Sequence, residues 1–150
     1  MPGVLRSVAR VAAGWLGIMT LIMFAGPQTT REPISSREEA ALYAIRTIHA
    51  TQVQYYSQYG RYAASLKELG PPASGVTGPA ASGLIDGELA SGTKDGYKYT
   101  MTVTASGYAI HADPEEYGKS GSRTFYSDQT MVIRQNHGPE PATADSPELK

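Results

Sequence analysis

The chain has no cysteine, only two phenylalanines and a single tryptophan, and not one charged residue between Val11 and Thr30. Without cysteine there is no disulfide framework and no thiolate metal site. Formal net charge is −1, so there is no basic field of the kind that holds nucleic acid. No HExxH, P-loop, GxGxxG or GxSxG pattern occurs, and His49, His111 and His137 are far apart, which argues against a zinc site and the familiar catalytic frames. What the chain has in excess is tyrosine, ten residues in a total of 150. Tyrosine joins an apolar body to a polar tip and suits half-buried sheets, core edges and protein contacts.

The uncharged stretch follows Arg6 and Arg10, and its apolar part reads VAAGWLGIMTLIMFAG. A basic flank before an apolar run is the pattern of export. The run is at the short edge of a membrane-spanning helix, and no well-formed cleavage site follows, because Met23 and Pro27 occupy positions unsuited to one. Residues 1–30 are therefore expected to be a signal anchor or a signal peptide, with Arg31 onwards on the outer side. About 120 residues remain, enough for one modest core.

Ser35 or Ser36 is expected to cap a helix from Arg37 to Tyr59, with Glu38 and Glu39 favouring its positive end. Ala41, Ile45, Ile48, Gln52, Tyr55 and Tyr59 recur at spacings of 4, 3, 4, 3 and 4, which places them on one core-facing stripe. Leu42, Val53 and Tyr56 widen the stripe, and Glu39, Arg46, Ala50, Gln54 and Ser57 take the opposite face. Gly60 ends the helix. Gln52, the polar member of the stripe, is expected to hydrogen-bond the backbone of the loop that follows, and His49 to sit half exposed at its flank.

The segment 70–83 (GPPASGVTGPAASG) reads as loop, between short helical turns at 64–69 and 84–90. The period then changes to two: Tyr97, Tyr99, Met101 and Val103 alternate with Lys98, Thr100, Thr102 and Thr104. Ala105-Ser106-Gly107 turns the chain, and Tyr108, Ile110 and Ala112 form the apolar face of a second strand. A polar loop follows at 113–123, then a hairpin of 124–127 and 130–134 around Asp128-Gln129. The Pro-rich segment 137–150 is expected to be disordered. The fold class is thus α+β: an N-terminal hydrophobic helix, then a long amphipathic helix packed on a small antiparallel β-meander.

In that setting EAALYAIRTIHATQVQYYSQYG (39–60), RYAASLKELG, LIDGELASGTKDGYKYT and GSRTFYSDQTMVIRQN, in this order, resemble a type IV pilin or type II secretion pseudopilin over residues 36–136. The resemblance implies a pilin-like domain at 31–136. It further implies a membrane-anchored, exported structural subunit of a secretion or pilus-type assembly, not an enzyme, single-pass in the inner membrane with its domain facing the periplasm or cell exterior. Its partners would be other pilin-like subunits or secretion-system components; no nucleic acid, small-molecule substrate or cofactor is indicated. The alternative is a released periplasmic binding domain. Major pseudopilins often hold calcium in a β-region loop, and Asp113, Glu115 and Glu116, with Asp128, are the acids that loop would offer. They lack DxDxDG spacing, and no catalytic, cofactor-binding or metal-ligating residue is assigned.

The departure lies at the other end. Prepilins carry Gly before the cleaved bond, then Phe-Thr-Leu-x-Glu, and that glutamate registers one subunit against the next. Here the apolar run holds no acid, and the cysteine pair of many pilins is missing. The expectation is an anchor left whole by prepilin peptidase and no filament formed by this subunit alone.

Overall fold

The computed structural model describes residues 33–150. The expected hydrophobic helix, with residues 1–30, lies outside the described residues. Among the described residues no helix is long and apolar enough to cross a membrane. The order is α1 (Ile34–Tyr59), α2 (Leu66–Leu69), α3 (Gly87–Ser91), β1 (Thr93–Lys94), β2 (Tyr97–Thr104), β3 (Gly107–Pro114), β4 (Thr124–Asp128) and β5 (Ile133–Asn136). The strands form one antiparallel sheet in sequence order. The α+β class with one long helix and a meander is therefore what the chain adopts.

Along α1 the predicted stripe is the buried face: Ala41, Ile45, Ile48, Gln52 and Tyr55 are all inaccessible to solvent. They meet Tyr97, Tyr99 and Met101 of β2, Tyr108, Ile110 and Ala112 of β3, and Phe125 of β4 in one cluster, which Leu66, Leu69, Ile85 and Leu89 extend. The start of the helix differs from expectation. Pro33, with φ −57° and ψ 148°, is the capping residue and no side chain caps it. The Ser36 hydroxyl instead donates to the Pro33 carbonyl at 2.8 Å. Proline's fixed φ suits a helix entrance and its missing N–H costs nothing there, so the helix gains three residues. At the other end Gly60 takes the left-handed conformation (φ 70°) and its N–H bonds the Tyr56 carbonyl.

Val103 does not join the core; it is exposed, beside Tyr56, Gly60 and Tyr62. It sits level with the end of α1, where no helix remains to cover it. Val53 and Tyr56 are each half exposed. The strand before β2 was not expected. Thr93 and Lys94 pair with Lys98 and Tyr97 around Asp95-Gly96, both with positive φ (52° and 79°). That is the two-residue hairpin turn for which Asp-Gly is favoured.

The C-terminal segment is packed, not disordered. The Leu149 N–H donates to the Ile133 carbonyl and the Gln135 N–H to the Pro147 carbonyl, at 2.8 and 2.9 Å, with Arg134 opposite Glu148 in an antiparallel bridge. Ala142 is fully buried, and the Thr124 hydroxyl donates to the Glu140 carbonyl. Composition argues against a core here, but covering a free sheet edge uses backbone groups and asks for little apolar surface.

Candidate functional site

The most constrained polar group lies between helix and sheet. His49 is buried, not half exposed. Its Nδ1 lies 2.7 Å from the Tyr108 hydroxyl and its Nε2 2.7 Å from Ser127 Oγ. Ser127 gives its one hydrogen to the Val132 carbonyl at 2.8 Å. It must therefore accept from His49 Nε2–H, leaving Nδ1 to accept from Tyr108. This network assigns the neutral ring, and burial lowers the His49 pKa while the Asp128 charge opposes that shift. Tyr108 stacks edge-on with Tyr62, which in turn contacts Tyr56. Helix, β3, β4 and the turn before β5 are tied through one imidazole. Ser127 is fully buried and its hydrogen is committed, so the pair has the geometry of a bridge and not of a nucleophile with its base.

A second anchor joins the helix start to the loop before β4. Glu38 was expected in the first turn, serving the helix dipole; because α1 begins at Ile34 it falls in the second turn and is buried. Its carboxylate accepts from the Ser122 N–H and hydroxyl, both at 2.8 Å, and from Arg123 Nε at 2.9 Å. Burial pushes this carboxyl upward, but the Ser122 and Arg123 donors together outweigh it and hold the pKa below the ordinary value. At the far end of α1, Gln52 bonds the loop backbone as expected: the Ala63 N–H donates to its Oε1 at 2.8 Å and its Nε2 donates to the Ala63 carbonyl at 3.1 Å.

The acids considered for calcium do not converge. Asp128 pairs with Ala109 and Asp113 with Lys98, four residues apart along β3. Asp128 accepts from Thr130, Glu116 is paired with Lys119, and Glu115 lies beside Gly96. Asp113 Oδ1 is buried without a hydrogen-bond partner among the described residues, and burial raises its pKa, against the pull of His111 and Lys98. No cluster of three or more metal-ligating side chains occurs among the described residues. The histidines also stay apart. His111 contacts Tyr126 edge-on on the outer face of the sheet, and His137 is exposed just after β5.

What remains open is the outward side of α1. Glu39, Tyr43, Arg46, Ala50, Val53 and Ser57 repeat at 4, 3, 4, 3 and 4 and are exposed, giving a second stripe opposite the buried one. Tyr43 is 73% exposed, the most open aromatic side chain among the described residues. A hollow of about 540 Å³ adjoins this stripe where α1 meets the β4–β5 turn and the C-terminal segment; Arg46, His49, Ala50, Met131, Ile133 and Leu149 line it. Sequence reasoning missed the His49 bridge and this hollow, since both depend on residues far apart in the chain. No protein-family model, curated protein or solved structure matches this chain.

Proposed function

We propose that this chain is a membrane-anchored, exported pilin-like or pseudopilin-like subunit, structural in role, whose domain faces the periplasm or cell exterior. The observation that carries the reading is the two-sided helix. One stripe of α1 is buried against an antiparallel meander, while the opposite stripe leaves Tyr43 and Val53 open to neighbours. In sequence, the uncharged run ends at Thr30 and α1 begins at Ile34. Exposed aromatic residues on a rigid helix are economical contact groups. The phrases that resemble pilins support the assignment to that family, and the lack of an acid in the apolar run supports a minor or non-polymerising member.

The test is topology and neighbourhood together. The chain should fractionate with the inner membrane at its full mass, with or without prepilin peptidase, and protease added to spheroplasts should digest the domain. A photo-crosslinker in place of Tyr43 should capture other pilin-like subunits, and the purified chain alone should form no filaments. A soluble monomer beginning near residue 27 supports the alternative, a released periplasmic binding domain. Cleavage next to Gly14 or Gly17, or filaments from this subunit alone, returns it to the ordinary pilins.

A further inference from the structure

The hollow beside α1 has features that core packing does not require. Its floor is His49, with both ring nitrogens engaged. Its walls are Ala50 of α1, Ile133 of β5 and Leu149 of the C-terminal segment. Met131 contributes from the turn with φ 64°, a left-handed conformation that costs a non-glycine residue on the order of 1–3 kcal/mol. The turn is locked, because the Met131 N–H donates to the Asp128 carbonyl and Ser127 holds the Val132 carbonyl. Yet the methionine side chain held there is 51% exposed.

The charges at the margin are unequal. Glu148 is engaged by Arg134 at 3.3 Å. The Arg46 side chain has neither a hydrogen bond nor an ion pair among the described residues. An apolar hollow of about 540 Å³ with one unbalanced cation falls in the ordinary range of small-ligand sites, roughly 300–1,000 Å³.

We propose that this hollow binds a small aliphatic carboxylate. The apolar body lies against Ala50, Met131, Ile133 and Leu149, and the carboxylate meets Arg46. A free aliphatic acid and the carboxyl end of a peptide with a terminal aliphatic residue share this chemistry. The inference holds whether the domain is anchored or released.

Methyl-labelled methionine in the full-length chain reads it directly. Met131 is in the hollow, and Met101 is buried in the core as an internal control. Sodium hexanoate should shift the Met131 methyl signal saturably and leave Met101 in place. Hexanol, which lacks the charge, should need about fivefold more ligand, the scale of an exposed ion pair, and acetate, which lacks the body, should do nothing. Arg46→Gln should bring hexanoate to the level of hexanol, and Ala50→Phe should fill the hollow and abolish the shift. Octanoate binding more tightly than N-acetyl-leucine assigns a free acid as the source; the reverse assigns a peptide end. A Met131 signal that never saturates, hexanol equal to hexanoate, or undiminished binding in Arg46→Gln overturns the proposal.

Discussion

Glu38 and Arg123 lie 85 residues apart in sequence and 2.8 Å apart in space, one on the second turn of α1 and the other just before β4. Arg123 also donates to Gln135 Oε1 at 2.8 Å, so a single guanidinium links the helix to β5. Removing one partner of a buried pair leaves the other uncompensated. With Arg123 partly exposed, Glu38→Ala should cost about 2–3 kcal/mol, below the value for a fully buried pair. The pKa of Glu38 is lowered on folding, so its contribution is full above the unfolded value and is lost as pH falls through the folded one. Denaturant melts of wild type and Glu38→Ala at neutral pH and near pH 3 should therefore converge in acid; curves that stay equally separated contradict this role.

Gln52 satisfies both backbone groups of Ala63 from inside the core. Gln52→Leu keeps the bulk but orphans a buried N–H and a buried carbonyl, at a cost of about 2–4 kcal/mol. Gln54→Ala, on the exposed face, should stay within about 0.5 kcal/mol. Equal melting temperatures for the two variants would remove the loop-pinning role.

The His49 bridge makes stability depend on pH with a definite sign. Burial lowers the histidine pKa on folding, so the unfolded chain takes up the proton first. Stability is full above the unfolded value and falls as pH drops through that value toward the folded one. Arg46 on the same helix, Tyr108 on β3 and Asp128 on β4 face this region, and Asp128 moderates the effect. The wild-type melting temperature should fall between pH 7.5 and pH 5, and His49→Gln should flatten that interval. An unchanged slope in the variant assigns the dependence elsewhere.

Deleting residues 137–150 should be costly despite their polar, Pro-rich composition. The deletion removes two backbone hydrogen bonds to β5 and the contacts of Arg134 with Ser146 and Glu148. A loss of about 2–4 kcal/mol is expected, with faster hydrogen exchange at the Gln135 amide and concentration-dependent association through the bared edge. Unaltered exchange at Gln135 would show that the segment does not cover β5.

The parts of the fold legible in the sequence are those set by local period. The α1 stripe and the alternation of β2 repeat within a few residues, and the buried and exposed positions follow from them. Asp95-Gly96 was equally legible as a hairpin signal, but a strand of two residues gives no alternation to accompany it. The His49 bridge, the Glu38 anchor and the edge cover by residues 147–149 were not legible. Each joins residues 12 to 85 positions apart, and nothing in the local pattern around His49 or Glu38 marks which distant partner will meet it. The exposure of Val103 is of the same kind, since it depends on where a helix elsewhere stops.

The uneven distribution of tyrosine also divides the molecule optically. All ten lie from Tyr43 onwards, whereas the single tryptophan is Trp15. Light absorbed by indole alone therefore reports on the N-terminal segment, and phenol bands report on the domain. Burial drives the ionisation of Tyr97 and Tyr99 well above the ordinary value and that of Tyr108 up to about 12. As alkali is added, those phenolates should emerge in the ultraviolet together with the opening of the sheet, which makes the core its own indicator dye.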